Sequence, residues 1–174
     1  MRFYEDFHVG ETEVVGHYDV SREEIVEFAS RWDPRPFHID DAAAAKSVFG
    51  GLSASSCHTY AITARLTFES GRDVAAAANL KTELRFPAAV RPGDRLTLVS
   101  ECLERRLSGS QPGVGIVKSQ SRLVNQDDVV VLFMDTVSMI RLRDSAGEYA
   151  EESAKESAKE AANDLGDNSG RGNA

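Results

Sequence analysis

The run VVVLFMDTVSMIRL, residues Val129 to Leu142, is the most β-prone segment of the chain, dense in β-branched and large apolar residues. Upstream of it, Asn125-Gln126-Asp127-Asp128 reads as a hairpin connection to a second long strand, Val114 to Val124. A third alternating segment, Arg95 to Leu103, follows the turn Arg91-Pro92-Gly93-Asp94. From Asn79 onward Leu80, Thr82, Leu84 and Phe86 alternate with polar neighbours, the period of two of a half-buried strand. Before residue 79 the apolar period is instead helical. Long strands joined by short turns, preceded by a helical block, predict an α+β fold in which an antiparallel sheet wraps a helix.

That block opens with strand-like Glu13 to Val20. Ser21-Arg22-Glu23-Glu24 then has the capping-box pattern, with Ser21 as N-cap and Glu24 reaching back. Ile25, Phe28 and Ala29 supply the stripe of a short amphipathic helix, which Asp33-Pro34 ends. Pro36 is expected to prevent a quick restart. A second helix is predicted from a cap at Asp40 or Asp41 through Ala42 to Phe49, stopped by Gly50-Gly51. A third runs from about Ser53 or Ser55 to Phe68, with Cys57, Tyr60, Ala61, Ala64 and Phe68 on the face expected to lie against the sheet.

A chain of 174 residues, 41% hydrophobic, holds one domain with a substantial core. No apolar run approaches the roughly 18 residues that cross a bilayer. The N-terminal Met1-Arg2-Phe3-Tyr4-Glu5-Asp6 does not read as a signal peptide. Cys57 and Cys102 have neither metal-ligand nor disulfide-scaffold spacing, so a reducing cytoplasm is the expected compartment. A net charge of −8 argues against a nucleic-acid partner. Of this, −5 lies in residues 144–174, so the body is near balance. Residues 144–174, with the repeat Glu152-Ser153-Ala154-Lys155 and Glu156-Ser157-Ala158-Lys159, read as an acidic, low-complexity, disordered tail. Residues 1–143 are expected to form the folded domain.

The sharpest local feature is Trp32-Asp33-Pro34-Arg35-Pro36-Phe37-His38-Ile39-Asp40. Prolines stiffen the backbone between an acid and an imidazole, and neither side chain is expected at a regular helix or strand position. If they converge on one pocket, they suit general acid–base work on a water molecule. By spacing alone, the pair reads first as a capped helix end and a surface loop.

The surrounding residues change that weighting. Phe28-Ala29, Asp33, Pro36, His38, Asp40, Ala43 to Ala45, Phe49-Gly50 and Ala54-Ser55-Ser56-Cys57-His58-Thr59 stand in the order of a known pattern. So do Leu84-Arg85-Phe86-Pro87, Val90 to Asp94 and Val124 to Asp127. With these residues the sequence resembles the MaoC-type acyl dehydratases, which include the (R)-specific enoyl-CoA hydratases, over roughly residues 1 to 142. The Asp-Pro-x-Pro-Phe-His variant at Asp33 to His38 resembles a subgroup of that family. The resemblance implies a hot-dog fold and a hydro-lyase acting on an acyl-CoA thioester. Asp33 and His38 would activate one water, and the backbone amides of Ser56 and Cys57 would polarise the thioester oxygen. It implies no separate cofactor, since coenzyme A enters with the substrate. Where those hydratases usually carry glycine this chain has Ser56, which keeps the backbone N–H.

Ser55, His58 and Arg35 are further candidates for the pocket, although one turn into a helix His58 reads equally as a packed histidine. Arg35 and Arg85 are candidates for the phosphates of coenzyme A. His8 and His17 read as surface or strand residues. No grouping has the spacing of a metal site, and Gly113-Val114-Gly115 reads as the start of a strand rather than a phosphate cradle. Two rival readings remain: a hot-dog thioesterase, and a non-catalytic acyl-thioester-binding subunit. An exposed edge strand in such a sheet invites pairing, so a homodimer with two-fold symmetry is expected, with no membrane partner.

Overall fold

The computed structural model describes residues 1–71 and 74–145. Strand β1 (Thr12–Asp19) leads into helices α1 (Arg22–Trp32), α2 (Pro36–Ile39), α3 (Asp41–Ala45) and α4 (Ser56–Glu69). Strands β2 (Ala76–Arg85), β3 (Arg95–Leu107), β4 (Val114–Val124) and β5 (Val130–Arg141) follow. All five form one sheet in the order β1-β3-β4-β5-β2, and every pairing is antiparallel. This is the α+β hot-dog arrangement expected from the sequence. Residues 146–174 lie outside the described residues, as does most of the predicted tail. The chain is still held at Ser145, whose hydroxyl donates to Gly113 O at 2.7 Å. Among the described residues no helix is long and apolar enough to cross a membrane.

The core sits between α4 and the near halves of the strands. Ile62 and Leu66 of α4 join Leu96 and Leu98 of β3, Leu123 of β4, and Val131 and Leu132 of β5 in one cluster. Each such side chain contributes about 1.5–3 kcal/mol when taken from water. At the far end Cys102, Val117 and Ile140 form a second cluster beneath Tyr4, Phe7 and Val74. Gly115 is required there, because a Cβ on it would lie 2.1 Å from the Tyr4 ring. Gly113 to Gly115 thus opens a strand.

Several expectations need correction. Pro36 does not block a restart; it begins α2, because the first helical position needs no N–H and proline's φ suits it. His38 therefore does occupy a helical position, inside α2, whereas Asp33 follows the last residue of α1 as its C-cap, with φ −154° and ψ 68° outside the helical region as expected. Helix α3 stops at Ala45 rather than Phe49, because the Ser47 hydroxyl bonds Ala44 O and Phe49 N and turns the chain early. Ser21 caps α1 as expected, but the Glu24 carboxylate does not reach back. It is taken by Tyr18 and His58.

The buried face of α4 is also the opposite of the one predicted. His58, Thr59, Ile62, Thr63 and Leu66 face inward, while Cys57, Tyr60, Ala64 and Phe68 face out. Thr59 and Thr63 are tolerated inside because their hydroxyls bond the helix's own carbonyls at Ser55 and Tyr60. Strand β2 lies at the sheet edge, and none of its side chains is fully buried despite the alternation.

Candidate active site

Asp33 is placed by the end of α1. Its N–H closes that helix on Ala29 O, and its own carbonyl accepts from Arg35 N at 2.8 Å. Arg35 is extended and serves as the N-cap of α2, where His38 N bonds Arg35 O at 2.9 Å. Asp40 ends α2 and caps α3 through Ala43 N at 2.7 Å. The proline-flanked segment is thus two helix ends joined by a rigid corner. It brings together Oδ2 of Asp33 and Nε2 of His38, 3.6 Å apart, with Asp33 only 9% and His38 only 4% exposed.

The imidazole is locked from behind. Its Nδ1 lies 2.7 Å from the carbonyl oxygen of Ser53. A carbonyl only accepts, so Nδ1 carries the proton and Nε2 of the neutral ring is left with a lone pair. Asp33 is held from the front. Arg35 Nε donates to Oδ1 and Nη2 to Oδ2, each at 2.6 Å. These hydrogen bonds, with the guanidinium charge and the nearby imidazole, hold the Asp33 carboxyl below the ordinary carboxylate value against the opposing effect of burial.

A cavity of about 490 Å³ opens beside this pair, lined among others by Arg35, Phe37, His38, Phe49, Ser56 and Arg91. Asp33 itself does not line it; Arg35 and His38, which touch Asp33, do. Across the cavity, α4 begins. Ser55 is its N-cap, and its hydroxyl accepts from His58 N at 3.1 Å. Among the described residues the amides of Ser56 and Cys57 have no acceptor, as expected of a first helical turn. Ser56 lines the cavity and Cys57 does not.

Of the remaining candidates, Arg35 lines the cavity, whereas Ser55 and His58 do not. Ser55 is consumed as a cap. His58 is sealed beneath α1: its ring stacks on Phe28 with centroids 4.5 Å apart, and Nε2 lies 3.1 Å from Glu24 Oε1. Arg35 and Arg85 offer no unopposed charge for phosphates. The first is paired with Asp33 and the second with Asp135 at 2.9 Å.

Sequence reasoning missed Arg91, which donates to the carbonyls of Phe49, Gly51 and Leu52. It thereby fixes the loop that carries the Ser53 carbonyl. Its place in an ordinary Arg-Pro-Gly-Asp turn gives no sign of that reach.

The model of a family described as MaoC like domain matches residues 9–125. The fold is similar to that of a MaoC-like dehydratase from Rhodospirillum rubrum, with a TM-score of 0.78 and 39% identity, covering 82% of this chain and 99% of that one. It is also similar to R-Hydratase PhaJ1 from Pseudomonas aeruginosa in the unliganded form, with a TM-score of 0.63 and 25% identity, covering 81% and 86% of the two chains. The uncharacterized protein YdeM of Bacillus subtilis (strain 168) is 29% identical over 130 residues, 73% of this chain and 90% of its own.

Proposed function

This chain belongs to the MaoC-like domain family, and on that premise we propose that it is a hydro-lyase, reversibly hydrating an enoyl-CoA or related acyl thioester to the 3-hydroxyacyl thioester. One observation carries the reading. His38 lines a cavity, its Nδ1 is tied to the Ser53 carbonyl at 2.7 Å, and its Nε2 stands 3.6 Å from a buried carboxylate.

A water about 2.8 Å from each of these atoms makes ordinary hydrogen bonds to both. Oδ2 of Asp33 keeps a free lone pair after accepting from Arg35, because a carboxylate offers about four acceptor sites. The water oxygen attacks the β-carbon, and the π electrons move to the thioester oxygen, which becomes enolate-like. The amides of Ser56 and Cys57 are the donors for that oxygen, helped by the positive end of the α4 dipole. A proton then goes to the α-carbon, and the thioester carbonyl re-forms. Dehydration reverses these steps, and coenzyme A takes part only as a portion of the substrate.

Incubation with crotonyl-CoA tests this directly. Loss of the conjugated-enoyl absorbance without release of thiol is the expected result. Release of thiol with the enoyl group intact would replace hydration by thioester hydrolysis. Binding with neither change would make the chain a non-catalytic acyl-thioester subunit.

The same reading includes a homodimer. Strand β2 is an unpaired edge with Leu80 55% exposed, and α4 presents Phe68 at 79% exposure. Pairing through such a strand removes an open edge and covers apolar side chains. Light scattering should give twice the chain mass, and Leu80→Asp should lower it toward the monomer.

A further inference from the structure

The carboxylate of Asp33 does not line the cavity, but the arginine that grips it does. Arg35 takes both carboxylate oxygens at 2.6 Å and lines the cavity; its side chain is 57% exposed, with the guanidinium carbon 5.3 Å from the centre of the Phe37 ring. The tether is short: the two residues are two positions apart, Arg35 stands between Pro34 and Pro36, and its own N–H is spent on Asp33 O. A planar fork matched to a carboxylate, on a backbone with little freedom, is a fixed feature of the corner.

We propose that Arg35 is a positioning residue, whose forked grip holds Asp33 as an anion in one orientation and thereby leaves proton exchange with the substrate to Nε2 of His38. This deepens the hydro-lyase reading and rests on it for its catalytic consequence. In hydration, the bond from water oxygen to the β-carbon forms as an O–H bond breaks, and that proton moves to Nε2. The imidazolium, steadied by the Asp33 anion, then delivers the proton to the α-carbon as the enolate returns to the thioester. One H and one OH are added across the double bond, and His38 ends neutral. Asp33 orients the water and offsets the imidazolium charge, but carries no proton.

The charged and titratable groups around the pair come from several elements. His38 belongs to α2, the Cys57 thiol stands at the start of α4 near Arg35, and Arg91 from the β2–β3 connection lines the same cavity. Arg91 is spent on the carbonyls of Phe49, Gly51 and Leu52, so its donors are not aimed at Asp33.

The decisive measurement does not need turnover. Carboxyl carbon and imidazole nitrogen shifts of Asp33 and His38 are followed by NMR against pH in wild type, Arg35→Gln and Arg35→Lys. Removing a cation beside an acid and a base raises both midpoints, so in Arg35→Gln each should move up by about one unit or more, with Lys between. Unchanged midpoints in Arg35→Gln would overturn the proposal whether or not the protein hydrates anything. Shifted midpoints in a wild type inert toward crotonyl-CoA would sink the hydro-lyase reading and leave the grip standing.

With turnover, the acid limb of kcat/KM should move to higher pH by the same amount in Arg35→Gln, at nearly constant KM. A uniform loss of kcat with an unmoved limb would mean a merely structural role. A KM raised for crotonyl-CoA but not for crotonyl-pantetheine would assign Arg35 to the phosphates. Either result overturns the proposal.

Discussion

Two buried histidines, each beside a carboxylate, meet different fates in this molecule. His38 is 4% exposed and lies by Asp33; His58 is 2% exposed and lies by Glu24. His38 lines the cavity; its Nδ1 is tied to a backbone carbonyl, and its Nε2, 3.6 Å from Asp33, keeps a lone pair. In His58 the Nε2 nitrogen is directed at Glu24, Nδ1 has no partner among the described residues, and Phe28 covers the ring. On the proposed reading, the pair at His38 is fit for chemistry because one nitrogen is fixed from behind and the other is left to accept a proton. The same pair, turned inward, bolts α1 to the first turn of α4.

The largest test of this contrast is a pair of alanine variants. His38→Ala should lower kcat for crotonyl-CoA hydration by about 10²–10⁴-fold, and, because it leaves the Ser53 carbonyl without its partner, should also cost about 1–3 kcal/mol of stability. His58→Ala should leave kcat within a few-fold while costing about 1–3 kcal/mol of stability, read in thermal melts. An equal kcat loss in His58→Ala at unchanged Tm would erase the distinction.

The carboxylates sharpen it next. Asp33→Asn, which keeps the shape and removes the charge opposing the imidazolium, is expected to reduce kcat by roughly 10²-fold. Glu24→Gln should reduce it by less than about threefold, because the Glu24 carboxylate bonds Tyr18 and His58, neither of which lines the cavity. Smaller again is Arg91→Ala, which frees the loop bearing the Ser53 carbonyl. A kcat lowered about tenfold and a broadened His38 imidazole resonance are expected, since a small misplacement of a catalytic group costs that order.

The smallest effect belongs to Tyr18. Burial, and then its hydrogen bond to Glu24, push its pKa up from 10.0 to about 12. Its raised value contributes stability that is fully present below pH 10 and lost as pH rises through about 12, because the unfolded phenol ionises first. Urea midpoints of Tyr18→Phe should therefore fall less steeply over that window than those of wild type.

Much of the fold was legible in the chain itself. The turn at Arg91 to Asp94, the hairpin at Asn125 to Asp128 and the strand Val114 to Val124 were readable because each rests on residues adjacent in sequence. The sequence misleads where a face of mostly small residues, or a proline, stands alone as the signal. Tyr60 and Phe68 have the size of core residues yet lie outside, and the small hydroxyls of Thr59 and Thr63 lie inside because they satisfy themselves on the helix. Pro36 looks like a breaker, yet at the first position of α2 it suits the helix.

The candidate site divides in the same way. A carboxylate and an imidazole on a stiff corner between two prolines, followed by a small-residue helix start, are properties of local covalent order, and the sequence alone determined them. Which histidine reaches the cavity was decided only by the tertiary structure, since it depends on partners 15 residues away for His38 and 34 for His58. So was the clamp of Arg91 on carbonyls about 40 residues distant. Local sequence restricts backbone angles, but the direction of a lone pair is set by whatever packs against the other side of the ring.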